Sequence, residues 1–112
     1  MSQQAGPLMA LMQLVQENPD LPAVRWSLAA DGFLMGDLMV DEDARPIMAA
    51  FVAVFGGQPT ESRYSHLGVE RFSLWLPTTW RDVRLSVTVI CPADALAPAG
   101  LPAEWSSKAV AA

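Results

Sequence analysis

The sequence predicts an α+β domain: a five-stranded antiparallel sheet with two helices packed on one face, in the order α-β-β-α-β-β-β. Three observations carry this. Two stretches, 7–17 and 44–55, place apolar residues at helical spacing. Residues 24–40 and 70–91 instead alternate with the period of strands, each around a short turn. And 112 residues, 52% hydrophobic and 17% charged, suffice for one core but are short for two domains.

The first helix is expected from Pro7 to Glu17. Proline suits a first turn, where its missing N–H costs nothing. Leu8, Leu11, Met12 and Val15 share one face, and Asn18-Pro19 ends the helix, because a residue before proline is pushed out of the α region.

Val24 to Val40 reads as a hairpin whose register follows from its loop. With Ala30-Asp31-Gly32 as a three-residue loop and Gly32 left-handed, Leu28 faces Leu34, Trp26 faces Gly36 and Val24 faces Leu38. One face is then apolar, and Arg25 meets Asp37 on the other. A two-residue Asp-Gly loop would put Asp37 on the apolar face, at the cost of burying a carboxylate.

Acidic residues 41–43 suit the positive end of a helix dipole, and Pro46 is tolerated only in the first turn, so Asp43 is the expected N-cap. Ile47, Ala50, Phe51 and Val54 form the expected buried stripe, flanked by Met48, Val52 and Phe55; Gly56-Gly57 stops the helix.

A three-stranded meander follows. Residues 70–80 and 83–91 pair around a two-residue turn at Arg81-Asp82, which sets Trp80 against Val83, Leu76 against Val87 and Phe72 against Cys91. Every residue on that face except Thr78 is apolar. Pro77 lies on the opposite face and requires an edge or a bulge. The preceding strand, near 60–65, alternates weakly, and the loop around His66-Leu67-Gly68 leaves its register open. The domain therefore spans 1–92, and 93–112 is a Pro/Ala-rich tail, with a short helix over 104–111 as one reading of it.

Composition excludes several function classes. A net charge of −5 and a pI near 4.5 argue against direct nucleic-acid binding, which needs clustered cations. The charge is uneven: residues 1–56 hold seven acids and two arginines, whereas 57–112 balance five acids with five cations. The apolar run 47–57 is too short to span a bilayer, no basic residue precedes Leu8–Val15 as a secretory signal requires, and the expected location is cytoplasmic. One cysteine and one histidine exclude a disulfide framework and a multi-thiolate or multi-histidine metal site.

Few residues invite chemistry, and no catalytic, cofactor or metal residue is expected. His66 with Ser65 or Ser73 and Glu70 nominally supplies a hydrolytic triad, but no nucleophile-elbow motif surrounds a serine. Cys91 falls on the apolar face of its strand, where a thiol is structural. Asp37, Asp41, Glu42 and Asp43 lack the spacing of a calcium loop.

The most informative feature is the second face of the sheet. It carries Phe33, Met35, Trp75, Pro77 and Ile90, with Arg71, Arg84, Ser73, Ser86 and Thr88 around them. A solvated face should be polar. Something is expected to cover it: the tail through Leu101 and Trp105, a second copy of the chain, or another protein. Trp and Arg are the types that anchor interfaces, so the expected partner-binding residues are Trp75, Ile90, Phe33, Met35, Arg71 and Arg84.

The segments Leu21-Pro22-Ala23-Val24-Arg25-Trp26, Phe51 to Pro59 with its Phe-Gly-Gly-Gln-Pro step, and Trp80-Arg81-Asp82-Val83 resemble small uncharacterised α+β proteins of actinobacteria and their phages or mobile elements. In that pattern the strand pair closes on Trp-Arg-Gly-Val; here Asp82 takes the glycine's place. The resemblance spans about 20–92, rests on turns and core positions, and implies no activity. The element order is also similar to that of roadblock-type dimerisation domains.

The expectation is a non-enzymatic protein–protein interaction module that binds a protein partner or self-associates as a homodimer; a phage or mobile-element accessory role fits the resemblance and is carried by no residue. Two alternatives belong to other classes. One is a small-ligand binder lined by Met9, Met12, Met39 and Met48; the other is a hydrolase-type enzyme using His66.

Overall fold

A computed structural model describes residues 5–96. The elements are α1 (Ala5–Glu17), β1 (Arg25–Leu28), β2 (Leu34–Met39), α2 (Ala44–Phe55), β3 (Thr60–His66), β4 (Val69–Trp80) and β5 (Val83–Pro92), followed by a 3-10 turn, Ala93–Ala95. The five strands form one sheet in the order β1-β2-β5-β4-β3.

The sheet is mixed, which corrects the expectation of an antiparallel one: β2 and β5 pair in parallel, while the other three pairs are antiparallel. The cause is α2. It returns the chain to the end from which β2 began, so β3 starts parallel to β2, β4 reverses, and β5 again runs with β2. A fully antiparallel sheet would need β1, not β2, beside the meander. The structure uses β2, which has six residues to pair where β1 has four.

The first hairpin has the expected register, Trp26 against Gly36 and Leu28 against Leu34. Its loop closes through Gly32 N–H donating to Ala29 O, with Gly32 at φ 88° and the Phe33 N–H held by Asp31. The β4–β5 register also stands as read, from Trp80–Val83 to Phe72–Cys91. Its turn places Arg81 (φ 52°) and Asp82 (φ 66°) in the left-handed region, the primed geometry that fits strand twist even without glycine. The open register of β3 is settled by a second two-residue turn, Leu67-Gly68, which pairs His66 with Val69 and Thr60 with Trp75.

Pro77 sits on an inner strand, yet its missing N–H costs nothing. The two-residue Arg81-Asp82 turn makes Trp80–Val83 a hydrogen-bonded pair, so Pro77–Ser86 is a non-bonded one and the proline nitrogen points toward β3. β3 has ended by then, opposite Trp75.

One face of the sheet holds the core. Leu34, Phe72, Leu74, Leu76, Val83, Leu85, Val87, Val89 and Cys91 pack against Ala10, Ala44, Met48 and Phe51. The helix stripes differ from those expected. In α2 the buried line is Ala44, Met48 and Phe51, and the half-buried Ile47, Val52 and Phe55 pack beside it; Ala50 and Val54, also half-buried, lie off the core. In α1 the buried residues are Pro7, Ala10 and Leu14; Leu8, Met12 and Val15 are exposed. Ala95 and Leu96 pack on the core, so the start of the segment read as a linker belongs to the domain. The expected 104–111 helix and Trp105 lie outside the described residues.

Two polar devices hold the elements together. Asp43 caps α2, accepting from Arg45 N–H at 3.0 Å, and its carboxylate also takes the Arg45 guanidinium in a two-point pair at 3.0 and 2.9 Å. Both side chains are nearly inaccessible, and the Asp43 hydrogen bonds raise the Arg45 pKa. At the other end Arg81 donates to Gln13 and in two-point fashion to Glu17, tying the β4–β5 turn to α1. Its guanidinium lies 4.2 Å from the Trp80 ring, which meets Phe55 edge-on at 6.2 Å.

Candidate interaction surface

The pleat sends every second residue away from the helices, and the registers arrange those residues in rows. Across the centre run Arg25, Asp37, Thr88, Trp75 and Thr60. The row on one side holds Met39, Ile90, Ser73 and Ser62; the row on the other holds Ser27, Met35, Ser86 and Pro77. Trp75 thus lies diagonally next to Ile90, with Pro77 two residues along its own strand.

Of the six expected partner-binding residues, Trp75, Ile90, Met35 and Arg71 come together on this face. Trp75 is 45% exposed and Met35 38%, and Met39, which the sequence reading left out of the patch, is 63% exposed. Ile90 and Arg71 are half-buried, and Ser73 and Ser86 are buried beneath their longer neighbours. The Ser62 and Ser73 hydroxyls lie 2.8 Å apart, so the polar floor satisfies itself. Arg71 does not: its Nε is buried with no hydrogen-bond partner.

Phe33 and Arg84 form the rim. Phe33 leaves the first hairpin's loop half-buried, with the Arg84 guanidinium 5.8 Å from its ring centroid. Arg84 also reaches Asp31 at 3.8 Å, and both side chains are about two-thirds exposed. Arg25, Arg71 and Arg84 thus stand on this face with Asp37 as the carboxylate among its central residues. With Asp31 at the rim, three arginines stand against two aspartates, a small cationic excess on a chain of net charge −5.

The other candidates are dispersed. His66 is exposed at the tip of the β3–β4 hairpin, and among the described residues no serine or carboxylate bonds to it. Ser65 pairs with Glu70 on the opposite side of the ladder, and Ser73 is spent on Ser62. Cys91 is fully buried, and burial pushes its thiol pKa up. Among the described residues no group of three or more His, Cys, Asp or Glu side chains converges, and no helix is long and apolar enough to cross a membrane. The four methionines do not meet: Met48 is fully buried, whereas Met9, Met12 and Met39 are more than 60% exposed.

Two features escaped sequence reasoning. A cleft of about 330 Å³ opens between the C-terminal end of α1 and residues 18–26, lined mainly by Leu14, Leu21, Val24, Trp26 and Phe51. Its walls come from α1, the segment that follows it, β1 and α2, a tertiary combination without a sequence pattern. The second is the exposed line of Leu8, Met9, Met12 and Val15 along α1. Its signal was present, since α1 is apolar on both sides of Ala10 and Leu14.

No family model, curated protein or solved structure matches this chain.

Proposed function

We propose that the chain is a non-enzymatic protein–protein interaction module, and that the outer face of its sheet takes a protein surface carrying carboxylates around an apolar centre. The observation that carries this is Trp75: a 45%-exposed indole at the middle of a sheet, with Met35, Met39, Ile90 and Pro77 around it and arginines at its margins. A large aromatic centre with an arginine rim is the composition of an interface hot spot. The partner's charge follows from the face's own, because three arginines set against two aspartates, Asp37 and Asp31, leave a cationic excess that favours an acidic counterpart.

The test uses the intact chain with Trp75→Ser and Arg84→Glu. Each variant should keep a cooperative melt; Trp75→Ser should lose the bound partner, and Arg84→Glu should weaken binding and reduce its salt dependence. Loss of cooperativity in Trp75→Ser would make Trp75 a core residue. A partner kept by Trp75→Ser and lost by Met12→Ser would move the interface to α1, whose exposed apolar line is the specific observation favouring a second reading. An accessory role in a phage or mobile element remains part of the proposal only through the sequence resemblance.

A further inference from the structure

We infer that the free edge of β3 pairs with the β3 edge of a second copy of the chain, joining two five-stranded sheets into one continuous sheet across a two-fold axis. β3 has β4 on one side, and among the described residues no strand on the other. Six of its seven residues are exposed. It carries no proline, no lysine and no bulge, and its two charged residues, Glu61 and Arg63, are of opposite sign, so a matched second strand can neutralise the charge that otherwise guards an open edge. The opposite edge, β1, offers only four residues.

The backbone decides which residues can pair. The two-residue turn Leu67-Gly68 makes His66–Val69 the closing hydrogen-bonded pair. Bonded and non-bonded pairs alternate along the ladder, so Tyr64, Ser62 and Thr60 also turn their N–H and C=O toward β4. Glu61, Arg63 and Ser65 present theirs to the open edge. A second β3 running antiparallel must match these outward residues with one another.

Few symmetric registers satisfy that condition, and charge selects among them. Centring the two-fold on Glu61 opposes two carboxylates, and centring it on Arg63 opposes two guanidinium groups. Centring it on Ser62 sets Glu61 against Arg63 of the second copy, twice, as two bonded pairs with opposite charges. Glu61 and Arg63 project on the helix side, where Arg63 already lies 5.6 Å from the Phe72 ring centroid. On the outer side the same register places Tyr64 of the second copy beside Thr60, the neighbour of Trp75. The two outer faces become one, and Trp75 stays uncovered. The pairing is therefore independent of what the outer face binds.

The experiment is sedimentation equilibrium on the full chain, Glu61→Arg, Arg63→Glu, and an equimolar mixture of the two variants. The unsubstituted chain should be a concentration-dependent dimer. Each single variant creates two like-charge pairs and should weaken the dimer at least tenfold. The mixture should restore it, because the chain with arginine at both positions complements the chain with glutamate at both. Hydrogen exchange gives a readout that needs no variant: the amides of Glu61 and Arg63 should be protected in the dimer and lose protection on dilution. A chain monomeric at millimolar concentration would overturn the inference. So would a dimer that neither variant weakens, that mixing does not rescue, or in which those amides exchange freely.

Discussion

Replacing Gly36 by alanine tests how the first hairpin is packed. Gly36 lies on the core side of β2, directly opposite Trp26 on β1. A β-carbon at that position would stand 2.9 Å from one atom of the Trp26 ring and 3.1 Å from two more. An indole cannot bend away, so it must rotate as a unit, and Trp26 also packs against the core and lines the cleft beside α1. Forcing a methyl group into filled space costs about 1–3 kcal/mol. Against this, alanine loses less chain entropy than glycine on folding, which returns about 0.4–1 kcal/mol. The net expectation for Gly36→Ala is a loss of about 1–2 kcal/mol, read as a lower urea midpoint at unchanged slope. In a Trp26→Leu background the same change should cost nothing, because a smaller side chain leaves room for the β-carbon. Gly36→Ala at full stability, or an equal cost in both backgrounds, would refute the packing of Trp26 over Gly36.

Two further outcomes follow from the polar ties. Asp43→Ala removes the α2 cap and the two-point partner of buried Arg45, and should cost about 3 kcal/mol or more in urea unfolding; Arg45→Met added to it should recover part of that loss. Glu17, whose pKa its hydrogen bonds to Arg81 lower, contributes stability that is present above its unfolded pKa and fades as pH falls through the lower folded value. Glu17→Gln should therefore flatten the acid limb of the melting temperature between those two pKa values and leave the rest of the profile unchanged.

Local signals were legible in the sequence, whereas long-range choices were not. Asp31-Gly32 and Asp37 together read the first hairpin's register, because the alternative would bury a carboxylate. The β4–β5 register was legible because it makes one face apolar down to Cys91. The strands' polarity also ranked their positions: β5 alternates Val, Leu, Val, Val and Cys toward the helices and lies at the centre, while β3, Thr-Glu-Ser-Arg-Tyr-Ser-His, lies at the edge. What stayed hidden was whether β1 or β2 would flank β5. Both carry apolar residues of the right parity, and only their lengths in the folded sheet separate them. The α1 stripe misled for a related reason. Leu8, Leu11, Met12 and Val15 have helical spacing, but so do Pro7, Ala10 and Leu14, and the small Ala10 lets the helix approach the sheet on that side. The outer-face residues could be placed from register alone, yet the exposure of Trp75 depends on what the neighbouring side chains cover.

Charge and layering bear on function together. Both helices contribute their buried residues to one face of the sheet, and acids are concentrated in the segments that bound them: Glu17 ends α1, Asp20 follows it, and Asp41, Glu42 and Asp43 lead into α2. Arg25, Arg71 and Arg84 point the opposite way. The outer face thus holds a small excess of cations on a chain of net charge −5. Two copies stacked outer face to outer face would set arginines against arginines around Trp75, so the face is better suited to an acidic partner than to itself. Pairing through β3 avoids that conflict: it leaves both cationic faces on the same side and doubles the surface such a partner meets. An acidic ligand bearing two copies of its epitope would then bind more tightly than one bearing a single copy, by a factor set by how well its linker spans the two Trp75 sites.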